Sequence, residues 1–166
     1  MNNAHPSPDI EVDPSPKINV RSPMYYLMRS RATCWYCGRS ASVSALAVPP
    51  SHETWDLEWQ HANAWACLFY VNQLPAGVQA RLAGASRCFR LMGTEGTWNS
   101  YWANHCEHCG AWFTDHDLHC EPGGAFVPET RTAAALIKLE LLDERFEAMA
   151  AGYSFESEFF ACMRRS

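Results

Sequence analysis

Cys34-Trp35-Tyr36-Cys37-Gly38 and Cys106-Glu107-His108-Cys109-Gly110 are two copies of one pattern, C-x2-C-G, and their reading decides the fold. In such a turn both sulfurs point at one ion while backbone amides point at the sulfurs. The glycine that follows permits the positive φ that the turn needs. Two such turns supply four thiolates and complete a closed tetrahedral site. Cys34, Cys37, Cys106 and Cys109 are therefore the expected ligands of one structural Zn2+, in the arrangement called a zinc ribbon. Rubredoxin-like knuckles serve iron as well as zinc; zinc is the commoner structural ion.

The two knuckles are far apart in sequence. Sixty-eight residues separate Cys37 from Cys106, where a simple ribbon has about 15–20. Closing a loop of that length costs roughly 4 kcal/mol. A structural zinc contributes roughly 10–16 kcal/mol, so the ion wins even over a floppy intervening segment. The expectation is a zinc ribbon split by a ~68-residue aromatic-rich insert, clipped into a larger α+β domain with C-terminal helices.

Composition limits the remaining choices. The chain has 166 residues, 48% hydrophobic, 13% aromatic and 19% charged, which excludes disordered, coiled-coil and collagen-like classes. The longest apolar run is Ala64 to Val71, far short of the roughly 20 residues of a membrane span. The N-terminal residues show no apolar stretch, so no secretory signal is expected, and a reducing cytoplasm is the expected setting for eight cysteines. Thirteen Lys plus Arg stand against 18 Asp plus Glu, a net charge of −5. Four thiolates and one divalent ion change that by −2. An acidic balance disfavours non-specific nucleic-acid binding.

Outward from the knuckles, residues 1–23 read as a disordered tail, with five prolines and no apolar periodicity. Residues 24–166 read as a single domain. Strands are expected on both sides of the first knuckle, ending at Pro49-Pro50. Trp55, Trp59, Ala62 and Ala66 fall at helical steps. Ala64 to Val71 suits a buried strand or a continued helix. A short helix is expected over residues 75–82, a strand over residues 88–92, and a turn at Gly93 and Gly96. The spacing predicts a helix over residues 129–150, with Ala135, Leu139, Leu142, Phe146 and Met149 on one face and Gly152 at its end. A second helix over residues 153–163 would align Phe155, Phe159 and Met163.

The string Tyr101-Trp102-Ala103-Asn104-His105 before the second knuckle, then Asp117-Leu118-His119 and Glu121-Pro122-Gly123-Gly124-Ala125-Phe126, together with the first knuckle and its apolar exit, resembles a family of small bacterial split zinc-ribbon proteins. The resemblance covers about half of the chain and implies a split zinc site. It carries no activity to transfer.

Other ligand-type residues are weaker signals. Asp115, His116, His119 and Cys120 can be read as a second, open metal site with Cys67 or Cys88, hydrolytic in character; the plainer reading is a set of polar groups around the ribbon. His105-Cys106-Glu107 gives the H-x-E string of zinc deaminases, but neither C-x2-C pair follows a proline. No G-x-S-x-G, P-loop or H-E-x-x-H motif occurs. Of seven tryptophans, Trp35, Trp102 and Trp112 flank the knuckles and are expected to cover the metal. The leading functional expectation is a non-enzymatic, zinc-stabilised protein-interaction module with a protein partner, an adaptor or inhibitor in bacteria or mobile elements. The alternatives are a nucleic-acid binder using Arg81, Arg87, Arg90, Arg131 and Arg145, and a metal-dependent hydrolase at His116 and His119.

Overall fold

The first knuckle sits in the turn of a β-hairpin, between Tyr25–Thr33 (β2) and Ser40–Val48 (β3). The structure, a computed structural model, describes residues 17–94, 99–154 and 158–166. Within them, β1 (Val20–Ser22), β4 (His52–Asp56), β5 (Glu58–Ala62) and β6 (Ala66–Gln73) precede helix α1 (Ala76–Ala85). Strands β7 (Phe89–Met92), β8 (Tyr101–His105) and β9 (Trp112–Phe113) form a separate three-stranded sheet. Short helices α2 (Asp115–His119) and α3 (Arg131–Ala134) lead to β10 (Lys138–Leu142), β11 (Phe146–Ser154) and β12 (Arg164–Arg165).

The nine-stranded sheet has the order β12-β10-β2-β3-β6-β11-β1-β4-β5, and its registers show that neighbouring segments are halves of longer bent strands. β1 runs into β2 through Pro23, and β3 into β4 through Pro49-Pro50. Proline lacks the ladder donor, so bends at these points interrupt no pairing the chain could make. One ladder pairs Val20 with Thr54 and Tyr26 with Ala47. The next pairs His52 with Ala62 and Val48 with Ala66. The third joins β6 to β11, from Cys67↔Ser154 to Gln73↔Met149. The fourth returns to the start, with Tyr25↔Leu142 and Val20↔Ala148. Four bent strands therefore pair in a cycle, which removes most free edges.

Each face of this sheet carries a hydrophobic core over part of its extent. Tyr25, Leu27, Leu46, Leu68 and Phe146 pack on one face with Val78 and Leu82 of α1 and with Phe89 and Trp102. Met28, Val43, Ala45, Cys67 and Leu139 face the other way, against Phe113, Leu118, Phe126 and Phe160. The alternation along each strand follows the period of two.

The expected α+β fold with C-terminal helices is overturned. The described residues are mostly β, and the segment 129–150 contains only the one-turn helix α3 before it becomes β10 and β11. The step of three and four residues there is real but misleading. Leu139 enters one core, whereas Leu142 and Phe146 enter the other. A strand buried on both faces carries apolar residues at both parities, and these can mimic a helical stripe. Gly152 ends no helix. It lies in β11 opposite Phe69, whose ring crosses the backbone so closely that a Cβ at Gly152 would come within 2.1 Å of it. The helical steps of Trp55, Trp59 and Ala62 belong to the β4–β5 hairpin, where Trp55 and Trp59 are cross-strand partners. The 68 residues between knuckles are not an insert, because β3 to β6 are integral to the main sheet. The expected tail contributes β1 at Val20–Ser22; residues 1–16, Gly96 of the expected turn, and Phe155 of the second expected helix lie outside the described residues. In the rest of that second segment, Tyr153 and Ser154 end β11 and Phe160–Cys162 form a 3-10 turn. The strands flanking the first knuckle, the residue 88–92 strand and a helix starting after Pro75 are found.

The small sheet docks where β6 stops covering the edge of β3. The buried Asn104 side chain of β8 accepts from the Ser44 amide at 2.7 Å and donates to the Ser44 carbonyl at 2.8 Å. It stands in for a missing strand. Asn104→Leu should leave both backbone groups buried and unpaired, lowering stability by about 3 kcal/mol and the melting temperature by roughly 10 °C. Asn104→Asp, which keeps the acceptor but sets a buried carboxylate against the Ser44 carbonyl, should lose at least as much. Circular-dichroism melts check this; unchanged melting in Asn104→Leu would show that the bridge is dispensable.

Candidate metal centre

Each knuckle is closed by its own backbone. The Gly38 amide donates to the Cys34 carbonyl at 2.9 Å, and the Cys34 amide to the Arg39 carbonyl at 2.9 Å. In the second knuckle the Gly110 amide donates to the Cys106 carbonyl at 2.8 Å, and the Cys106 amide to the Ala111 carbonyl at 2.7 Å. Gly38 and Gly110 have φ of 71° and 77°, the left-handed region that glycine enters without steric cost. The duplicated sequence pattern is thus a duplicated turn.

The structure brings the two turns tip to tip. Cys34 Sγ lies 3.6 Å from Cys109 Sγ, and Cys37 Sγ lies 3.8 Å from Cys106 Sγ. All four sulfurs lie within 4.8 Å of one another. A tetrahedron with metal–sulfur bonds near 2.3 Å has edges of about 3.8 Å. The four cysteines can therefore hold one metal ion. The amides of Cys37 and Tyr36 point at the Cys34 sulfur and bring its thiol down to about 7. At Cys106 burial raises the thiol, but the amides of His108 and Cys109 outweigh it, and the net shift is downward. These dipoles favour thiolate, the form that binds metal, at Cys34 and Cys106; at Cys109 the Ala111 amide pulls the thiol down, but burial and the neighbouring cysteines outweigh it and push it up to about 12.

Two side chains within the second knuckle dock it beside the first. Glu107 Oε1 accepts from the Ser42 amide at 3.1 Å, and His108 Nε2 donates to the Ser40 carbonyl at 3.0 Å. Nothing in the sequence pattern marks Glu107 or His108 for this task. Among the tryptophans, Trp102 is buried away from the sulfurs against Phe89. Trp35 and Trp112 stand at the knuckles but are 70% and 40% exposed, so they rim the site rather than cover it.

The other candidate ligands do not converge. The four-cysteine group is the one metal-type cluster of three or more His, Cys, Asp or Glu among the described residues. His116 is exposed and faces Asp117 and Glu121, and Cys120 is exposed. His119 is buried between the rings of Phe69 and Phe126, at 5.4 and 4.9 Å, with Nδ1 at 3.5 Å from Cys67 Sγ. Burial drives its pKa down to about 3. Asp115 is buried and pushed up to about 6 by desolvation, against the pull of the Tyr70 amide it accepts from at 2.6 Å. His105 Nδ1 lies near the Ala103 and Cys88 carbonyls while Glu107 turns to Ser42, so the H-x-E string builds no catalytic pair. Cys88 opens onto another face, among Arg29, Arg31 and Arg87. Of the arginines expected to cluster, Arg81 pairs with Glu144 and Arg145 with Glu147, while the Arg90 guanidinium donates to the Arg87 carbonyl at 3.3 Å.

Comparison with known protein families, with curated proteins and with solved structures finds no match for this chain. No helix of the described residues is long and apolar enough to cross a membrane.

Cys37→Ser and Cys106→Ser should each lower the melting temperature by about 10 °C or more, and a strong chelator should reproduce the loss in the unsubstituted protein. Cys120→Ser, at an exposed thiol outside the cluster, should melt normally. Equal melting of all three variants would separate the cluster from stability. His119 provides a pH test. Its pKa is 6.5 when unfolded and about 3 when folded, so the unfolded chain binds the extra proton, and stability falls as pH drops from 6.5 toward 3. His119→Phe should flatten that decline by up to about 1.4 kcal/mol per pH unit, measured by urea titrations at several pH values.

Proposed function

We propose that this chain is a zinc-stabilised protein-interaction module, in which one structural Zn2+ is bound by Cys34, Cys37, Cys106 and Cys109. Four thiolates use every position of a tetrahedral ion, leaving none for a reacting water. The ion then acts as a clamp between two sheets and not as a catalyst. The likeness to small bacterial split zinc-ribbon proteins rests on the same two turns.

One observation carries the interaction reading. Trp35 and Tyr36, 70% and 71% exposed, project from the first knuckle with their rings 5.7 Å apart and edge to face. Trp35 Nε1 donates to the Trp112 carbonyl at 2.9 Å, tying the exposed ring to the second knuckle. Large aromatic side chains held rigidly in water are the residues that dominate binding energy at protein interfaces. The orientation of Trp35, fixed by that hydrogen bond, reduces the ordering cost of association. An acidic adaptor or inhibitor with this rim would engage an apolar pocket on a protein partner.

Metal analysis of the purified protein should find about one zinc per chain and no iron; iron, or no metal in folded protein, would overturn the zinc assignment. The interaction reading is tested with Trp35→Ser/Tyr36→Ser. The double variant should melt within about 2 °C of the parent, since both rings are exposed. A protein cross-linked to the parent under native conditions should be lost from the variant. Equal capture by both forms would remove the aromatic rim from the interface.

A further inference from the structure

Across β10, β2 and β3, Lys138, Arg29 and Ser44 are directly opposed neighbours, and Arg31 and Ser42 form the next row. These positions continue the face that buries Leu27 and Leu46 under α1. The helix ends at Ala85, and beyond it the same face is, among the described residues, open and cationic. The segment 85–88 walls one side, contributing Arg87, and Glu107 closes the end nearest the second knuckle; together they bound a cleft of about 680 Å³.

The charge of this cleft runs against that of the chain. Four cations and one carboxylate line it, in a protein of net charge −5. Arg31, Arg87 and Lys138 make no ion pair among the described residues. Arg29 reaches Glu140 at 3.2 Å on the rim, with both side chains more than two-fifths exposed. Arg31 is held in place by neutral groups: its guanidinium donates to Ser40 Oγ at 2.9 Å, to the Ser40 carbonyl at 3.0 Å and to Ser42 Oγ at 3.3 Å. Glu107 is turned to the Ser42 amide. A guanidinium fixed by serines, with no carboxylate of its own, is pre-organised for an external anion.

We infer that the cleft over β10, β2 and β3 binds a small ligand carrying two or more phosphate groups, through Arg29, Arg31, Arg87 and Lys138. Three adjacent strands span about 10 Å, wider than a single phosphate. The volume lies in the range of small-molecule sites. No aromatic ring lines the cleft among the described residues, so the stacking platform that single-stranded nucleic acid uses is lacking. The inference is independent of the metal and of the aromatic rim, which lies on the knuckle tips.

Calorimetric titration of the full-length, metal-loaded protein with sodium tripolyphosphate tests it, at low salt and again at physiological ionic strength. The expected result is one site per chain, weakened by salt. Arg87→Glu and Lys138→Glu should each weaken it by about tenfold or more, with melting temperatures measured alongside. Arg145→Glu, a charge reversal away from the cleft, should bind as the parent does. If either reversal unfolds the protein, Arg87→Gln and Lys138→Gln take its place, with a smaller loss expected. Absence of binding at low salt, or equal weakening by Arg145→Glu, would overturn the inference. Tighter binding of citrate would overturn the phosphate assignment. Tighter binding of a single-stranded oligonucleotide, sensitive to the same substitutions, would reassign the cleft to nucleic acid.

Discussion

The fold depends on bringing the turn at residues 34–38 against the turn at residues 106–110, so that four sulfurs lie within 4.8 Å of one another. The first turn belongs to the main sheet and the second to the small one. Apart from this junction, the small sheet is held by Phe89, Trp102 and Phe113 packing into the two cores of the main sheet, by the Asn104 bridge to Ser44, and by Glu107 and His108 docking on β3. Four sulfurs at tetrahedral spacing are a poor contact in themselves. Thiolates gathered there would repel one another, and a metal cation held by them would convert that repulsion into a cross-link. The backbone amides aimed at Cys34 and Cys106 prepare the sulfurs for it.

The cyclic pairing of the bent strands explains why the junction can lie so far apart in sequence. Residues 40–73 complete most of the cycle before the chain leaves for α1 and the small sheet, and residues 138–154 close it. The small sheet is thus inserted between the third and fourth bent strands. It covers the one stretch of β3 that β6 leaves unpaired. The polar residues on the outer part of the same sheet have a different fate. Where α1 ends, no further element among the described residues covers the face, and the side chains there are Arg29, Arg31, Ser42 and Lys138 instead of leucines.

Side chains with strong chemical character are mostly used for packing here. His119 lies between two phenyl rings as a neutral imidazole, Cys67 touches both Met28 and His119, and Asp115 holds the Tyr70 amide where Tyr70 takes a φ of 52°. Their density in the segment 105–120 suggests a second metal site when read linearly. In space they point to different neighbours, because a helix as short as α2 sends Asp115 and His119 inward while His116 and Asp117 stay in water.

The sequence alone determined the two knuckles. A C-x2-C-G turn is local: its hydrogen bonds, its positive-φ glycine and its paired sulfurs all lie within six residues. The hairpin around the first knuckle and the helix after Pro75 are legible for the same reason. What only tertiary structure decided is the rest. Residues 138–154 carry a spacing compatible with helix, and pairing with β2, β6 and β1 makes them strands, since burial on both faces rewards apolar side chains at both parities. Arg29, Arg31, Arg87 and Lys138 are scattered in sequence and share a cleft only because three strands and the end of α1 meet there. Non-local pairing leaves no periodic mark on a single chain, and so the cyclic sheet and its cationic face appear only when the strands are in register.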